Sequence, residues 1–155
     1  MYTNSKEFKF DSAHRLALGY VGKCSSLHGH SWLCTVFVKG ETLDEYGMAI
    51  DFGDIKKAYK AWEIMLDHAT FLHASDQELI NVLLEMDTTL FVFEENPTSE
   101  VIARMLWIAL STALPKHCQL DRILINETCT SSCEFTLKPE QEPKPVIFKV
   151  LNARI

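Results

Sequence analysis

Three histidines and one cysteine carry the strongest chemical pattern in this chain of 155 residues. The stretch is Cys24-Ser25-Ser26-Leu27-His28-Gly29-His30, with His14 a short way upstream. Residues two apart on an extended chain point to the same side, so His28 and His30 can address one ion. Gly29 between them lets a second backbone or a ligand come close. His14 ends an alternating run, and a strand–loop–strand connection brings it alongside. Three imidazoles leave the fourth position of a tetrahedral zinc open, the arrangement of a catalytic rather than a structural site. Iron, copper and nickel also accept imidazole, so the donors favour Zn2+ without dictating it. Spacing alone leaves two other readings open. The His-x-His pair can simply end a strand, or Cys24 can be a fourth, structural ligand.

A second group has the makings of acid–base chemistry. Asp67-His68 stands at the end of a helical pattern, where the helix dipole and the neighbouring carboxylate both favour a charged imidazole. A Cys, a His and an Asp together form a general-base relay around a thiolate. The same pair also reads as a plain helix end with a solvated Asp, and nothing in spacing brings residue 68 to residue 24. Glu127 closes a strand, where a carboxylate can receive two N–H groups from a planar, amidine-like ring edge. An exposed strand-end Glu is the alternative. His73 and His117 have no partners in the pattern and read as packing or surface residues, and Cys34 as a buried core thiol.

These residues need elements to position them. From Lys6 to His14 the chain alternates, with Phe8, Phe10, Ser12 and His14 on one side. A glycine-bearing loop from Gly19 to Cys24 leads to a second strand, Ser31 to Val38. Both faces of that strand are largely apolar, which calls for cover on both sides, by helices on one and a neighbouring subunit on the other. Asp51-Phe52-Gly53-Asp54 reads as a helix entry. Ile55, Ala58, Trp62, Met65 and Leu66 then keep helical spacing to about His68. Asp76 to Glu85 reads as a short helix and Leu90 to Phe93 as a short strand. Asn96-Pro97-Thr98-Ser99-Glu100 opens another helix, capped by Thr98 with Glu100 in its first turn. Its apolar stripe is Val101, Ile102, Met105, Leu106, Ala109 and Leu110, and Pro115 stops it. Arg122 to Glu127 and Glu134 to Leu137 read as strands, and Val146 to Leu151 as an edge strand or a partner-contacting tail. Strands, helices, then strands imply an α+β fold with an antiparallel sheet.

Bulk properties exclude several classes. The net charge is −6, and the basic residues form no run longer than Lys56-Lys57, so no nucleic-acid footprint is present. No apolar run approaches the roughly 20 residues of a membrane span, and no secretory leader pattern is seen. Five cysteines, an odd number, fit free thiols in a reducing cytoplasm better than a disulfide framework. The length suits one domain.

Several motifs in order carry a resemblance to a known family. They are Asp11-Ser12-Ala13-His14-Arg15-Leu16, Cys24 through His30, Met48-Ala49-Ile50-Asp51-Phe52, Leu66-Asp67-His68, Asn96 through Glu100, and Glu127-Thr128-Cys129-Thr130. Together they make the chain resemble the 6-pyruvoyltetrahydropterin synthase family. Within it, the three residues between Cys24 and His28 resemble the bacterial 6-carboxytetrahydropterin synthase branch of queuosine and deazapurine biosynthesis, since the biopterin-type enzymes have a longer gap. Phe135, where the family often has Tyr, and the tail to Ile155 depart from the pattern.

The resemblance implies a tunnelling fold (T-fold): a four-stranded antiparallel sheet with two main helices on one face, ordered β-β-α-α-β-β. It implies a synthase domain over residues 1–138 and an extension over 139–155, possible as edge strand or subunit contact. It also implies assembly into a barrel as a homotrimer or homohexamer, with sites between subunits. The implied roles are His14, His28 and His30 as zinc ligands, Cys24 as thiol base, Asp67 and His68 as its relay, and Glu127 as pterin anchor. Thr98 and Glu100 become substrate contacts, and Arg15 and Lys23 candidates for phosphate. The implied reaction converts 7,8-dihydroneopterin triphosphate to 6-carboxy-5,6,7,8-tetrahydropterin, releasing acetaldehyde and triphosphate. Formation of a 6-pyruvoyl product, or an inactive metal-binding homologue, are the alternatives.

Overall fold

The computed structural model describes residues 1–138 and 140–153. In chain order the elements are β1 (Tyr2–His14), β2 (His28–Gly40), α1 (Phe52–Leu66), β3 (Thr70–His73), α2 (Gln77–Glu85), β4 (Leu90–Phe93), α3 (Ser99–Ala113), β5 (Gln119–Asn126), β6 (Ser132–Thr136) and β7 (Phe148–Leu151). A single 3-10 turn lies at Lys23–Ser25. Pro139, Arg154 and Ile155, at the two ends of the 139–155 stretch, lie outside the described residues.

Period-2 patterning builds the first pair. Phe8, Phe10, Ser12 and His14 of β1 are buried, while Lys9 and Asp11 between them are exposed. β2 runs antiparallel beside it from Tyr2↔Gly40 to His14↔His28. Phe10 faces Trp32 across the ladder, and their rings stack at 6.0 Å. Because side chains alternate, a slip of one residue would turn this aromatic row and His14 to the opposite face. The buried aromatics therefore hold the register that the histidines need.

The expected four-stranded antiparallel sheet is present only as part of a larger one. Its strands are β6-β5-β2-β1, but the full order is β6-β5-β2-β1-β3-β4-β7. β3 pairs parallel with β1 and β4 parallel with β3, while β7 closes the edge antiparallel to β4. The sheet is seven-stranded and mixed. β3 left no periodic signal because all four of its residues are buried, so nothing alternates, and a strand that short cannot be told by pattern from the end of a helix.

α1 packs on β1, α3 on β5 and β6, and the two helices touch each other. That matches two main helices over the antiparallel part, with the shorter α2 lying against β4. Asp51 caps α1 by accepting the Gly53 N–H at 2.7 Å. Thr98 caps α3 through the Val101 N–H at 3.4 Å. α3 buries Ala103 where Ala109 was expected. On β2, Trp32, Cys34, Val36 and Val38 face the helices and are buried. On its other face Leu33 and Phe37 are only half-buried, and the Arg122 guanidinium sits 3.9 Å above the Phe37 ring. No helix among the described residues is long and apolar enough to cross a membrane.

Candidate metal centre

The ladder at the open end of β1 and β2 assembles the histidines. His14 stands directly opposite His28, and His30 opposite Ser12, so all three imidazoles rise from the same face as Trp32. The His14 and His30 rings each lie 5.2 Å from the Trp32 ring, which forms an apolar floor. Each histidine offers a nitrogen, and these three lie within 4.8 Å of one another.

Hydrogen bonding decides which nitrogens are free. His14 Nδ1 lies 2.9 Å from the Pro97 carbonyl and His28 Nδ1 2.8 Å from the Ser26 carbonyl. A carbonyl only accepts, so each Nδ1 carries the hydrogen and each neutral ring leaves Nε2 as a bare lone pair. Those two Nε2 atoms are 3.1 Å apart. Facing lone pairs repel unless a cation lies between them. Zinc–nitrogen bonds of about 2.0–2.1 Å in a tetrahedron place neighbouring nitrogens about 3.3 Å apart, close to what is seen. His30 Nε2 is buried without a hydrogen-bond partner, a loss that coordination would make good. The donor set fits a metal, with backbone carbonyls as the outer partners that orient imidazole ligands.

Electrostatics point the same way. Burial pulls His14 from 6.5 down to about 4, with the Pro97 carbonyl opposing the shift and the neighbouring His28 and His30 adding to it. His30 is also lowered, first by burial, with Glu127 pulling the other way. Both rings are thus neutral near pH 7, the form that binds metal. The Glu127 carboxylate lies 3.3 Å from His14 Nε2 and 3.4 Å from His30 Nε2. It faces the histidine cluster itself, where a cation would stabilise it.

Asp67 and His68 sit beyond the end of α1. The helix stops because Asp67 is extended (ψ 129°) and His68 is left-handed (φ 60°). Asp67 accepts the Asp11 N–H at 2.8 Å, and His68 N–H donates to the Asp11 carbonyl at 2.7 Å. Ser12 Oγ donates to the Leu66 carbonyl. Two consecutive residues of β1 thus hold this unusual backbone. The Asp11 N–H is the main reason the Asp67 carboxyl is held below its ordinary range. The other Asp67 oxygen is 2.9 Å from His68 Nδ1, and the His68 side chain is 82% exposed.

Two clefts run beside the histidines. One, of about 450 Å³, is lined by Asp11, His30, His68 and Thr70, among others. The other, of about 640 Å³, is lined by Lys9, His30, Leu33, Glu127 and Cys129, among others. Gly29, His30 and Ser31 border both. A Cβ on Gly29 would meet only the Ser12 carbonyl, at an ordinary 3.6 Å. The space it leaves therefore opens to the clefts and is not needed for chain packing.

Cys24 is half-buried in the 3-10 turn with a free thiol. Among the described residues, no hydrogen bond or ion pair joins it to Asp67, His68 or the three histidines. Thr98 is used as the α3 cap, and the Glu100 carboxyl is lowered mainly by hydrogen bonding to Thr98. Arg15 is paired with Asp76 at 3.1 Å, and Lys23 is exposed. His73 is buried between Ser75 and the Glu94 carbonyl, and Cys34 is fully buried. Sequence reasoning missed the Pro97 and Ser26 carbonyls, because any residue type supplies one. It also missed Trp32 as the floor, although its i+2 spacing from His30 was visible.

Comparison with known proteins adds to this geometry. Residues 3–138 match the family model described as 6-pyruvoyl tetrahydropterin synthase. A Rickettsia bellii protein named 6-carboxy-5,6,7,8-tetrahydropterin synthase is 36% identical over 102 residues, 64% of this chain and 72% of that protein. A Haemophilus influenzae protein of the same name is 32% identical over 87% of this chain and 99% of its own length. Among solved structures, an uncharacterized Wolinella succinogenes protein superposes with a TM-score of 0.76 at 20% identity, covering 88% of this chain and 98% of that one. The Caenorhabditis elegans 6-pyruvoyl tetrahydropterin synthase does so with a TM-score of 0.67 at 23% identity, covering 88% and 96%. At these identities the structural likeness speaks for the fold alone.

Proposed function

The chain belongs to the 6-pyruvoyl tetrahydropterin synthase family, and we propose that it is a zinc-dependent lyase of the 6-carboxytetrahydropterin synthase type. On this reading it converts 7,8-dihydroneopterin triphosphate and one water to 6-carboxy-5,6,7,8-tetrahydropterin, releasing acetaldehyde and triphosphate, in cytoplasmic queuosine or deazapurine biosynthesis. The observation that carries the proposal is the convergence of three imidazoles with one nitrogen each within 4.8 Å of the others, His14 and His28 being tied through Nδ1 to carbonyls. It occurs in a chain similar to proteins of that name.

His14, His28 and His30 would hold the metal, which when bound supplies Lewis acidity toward the hydroxyls of the substrate side chain. Glu127, at the wall of the larger cleft, receives N–H groups from the pterin ring edge. Cys24 as thiolate takes a side-chain proton. His68, oriented by Asp67 through the pair at 2.9 Å, returns it on the other side of the cleft. Thr98 and Glu100 act less directly, by holding the start of α3 and so the Pro97 carbonyl behind His14. Since one chain does not join Cys24 to His68, the working site is formed between subunits of a homotrimer or homohexamer. The half-buried face of β2 turns toward the barrel interior. Residues 1–138 carry the chemistry, and within the extension β7 (Phe148–Leu151) pairs with β4.

Product analysis tests the proposal. Incubation with 7,8-dihydroneopterin triphosphate should yield trapped acetaldehyde and a 6-carboxy pterin in equal amounts. A 6-pyruvoyl product that keeps all three side-chain carbons would overturn the assignment. Turnover by Cys24→Ala at the wild-type rate would remove the thiol role.

A further inference from the structure

Asn96 opens the segment that leads into α3, yet its side chain does not serve that helix. It turns instead to the loop that carries Cys24. The side-chain amide meets both backbone groups of Leu18, accepting the N–H at 3.0 Å and donating to the carbonyl at 2.9 Å. A reversed amide would set oxygen against oxygen and N–H against N–H, so the pair fixes which atom is which. The loop is otherwise closed on itself. The Leu16 N–H donates to the Cys24 carbonyl at 2.9 Å and the Ser25 N–H to the Gly22 carbonyl at 3.1 Å. Gly19, next to Leu18, takes φ +66°, a left-handed turn that suits glycine. Among the described residues, Asn96 is the one hydrogen-bond partner that residues 16–24 have outside the stretch 16–26.

The residues on either side of Asn96 are themselves held. The Glu94 N–H donates to the Ile147 carbonyl at 3.1 Å. The Glu95 carboxylate sits between the Arg104 guanidinium of α3 and the Lys144 ammonium, the latter at 2.9 Å. Pro97 restricts the backbone of the residue before it. The Thr98 N–H donates to the Asn96 carbonyl at 2.8 Å, which closes a tight turn over Pro97. The carbonyl of the buried Pro97 then meets His14 Nδ1 at 2.9 Å. Two adjoining residues thus grip two distant parts of the site, Asn96 the thiol loop and Pro97 the first histidine.

We propose that Asn96 is a positioning residue that couples the loop bearing Cys24 to the metal centre: its amide holds the loop at Leu18 while the adjoining Pro97 carbonyl holds His14. The inference rests on the reading of His14 as a metal ligand. With a metal on Nε2, the His14 Nδ1–H becomes a stronger donor to Pro97. The turn over Pro97 is then held more firmly, and Asn96 passes that constraint to Leu18. The thiol loop is thereby set relative to the metal within one chain, whichever subunit supplies His68.

The test is amide hydrogen exchange by mass spectrometry on the full chain, after chelator dialysis and again with zinc, in wild type, Asn96→Ala and Asn96→Asp. Asn96→Asp keeps the size of the side chain but sets a carboxylate oxygen against the Leu18 carbonyl, so it carries the test should the alanine variant fold poorly. Zinc should slow exchange over residues 17–24 severalfold in wild type. In both variants that slowing should vanish, while slowing over His28 to Trp32 persists. Without zinc, exchange over residues 17–24 should already be roughly tenfold faster in the variants, the loss of about one net hydrogen bond. Zinc content should match wild type, and turnover should fall at least about tenfold through kcat with little change in KM. Zinc slowing over residues 17–24 that survives in both variants would overturn the inference, as would its absence from zinc-loaded wild type. A wild type that binds no zinc would instead remove the metal reading, and the coupling with it.

Discussion

His14→Asn, compared with wild type in the metal-free protein, should remove most of the acid sensitivity of folding between pH 7.5 and 5. Unfolded, His14 titrates near 6.5, and buried beneath Pro97 it resists protonation until about pH 4. Below 6.5 the unfolded chain therefore binds a proton that the folded chain does not. Stability is full above 6.5 and is lost as pH falls through the window, levelling out below 4. The gap of 6.5 − 4 is worth about 3 kcal/mol, and about 2 kcal/mol of it is gone by pH 5. Carboxyls such as Asp67, Glu95 and Glu100, all held low, also lose stability in acid, but they do so at lower pH and equally in both proteins. His30, lowered in the same direction, leaves a smaller residual slope in the variant. The assay is urea unfolding after chelator dialysis at pH 7.5, 6, 5 and 4.5. Equal slopes with pH for wild type and His14→Asn would refute the reasoning, because the difference between the two proteins comes from the lowered His14.

Three further outcomes follow from the packing. Elemental analysis of purified protein should find one zinc per chain, and His14→Ala, His28→Ala or His30→Ala should each weaken binding by more than about tenfold; full metal in any of them rules that ligand out. Trp32→Ala should cost about 3–5 kcal/mol of stability, since the side chain is fully buried. It should weaken zinc binding as well by removing the floor under His14 and His30, and intact affinity would separate core from site. Thr98→Ala should lose about 1 kcal/mol of capping energy and lower metal affinity through the Pro97 carbonyl. A stability loss with unchanged affinity would show that Pro97 is held by other means.

Much of the site was legible in the chain because its signals are local. Two histidines with one residue between them, on a strand whose next i+2 residue is Trp32, share a face whatever the fold, because the strand period is two. The capping chemistry of Asp51 and Thr98 was readable for the same reason, since a cap acts within three residues. The linked motifs supplied the family, and 6-pyruvoyl tetrahydropterin synthase matches residues 3–138. Other features depend on contacts between distant segments. β3 is buried on both faces and so leaves no alternation to read; it became visible only when its pairing with β1 and β4 made a seven-stranded sheet. The left-handed His68 is held by Asp11, more than fifty positions away. The carbonyls that fix the histidine tautomers come from Pro97 and Ser26, and a carbonyl has no residue type to betray it. Residue types and spacing thus determined which side chains could bind a metal. The tertiary structure decided which nitrogen of the His14 and His28 rings is free to do so, because that depends on which backbone oxygen the fold brings to the other side.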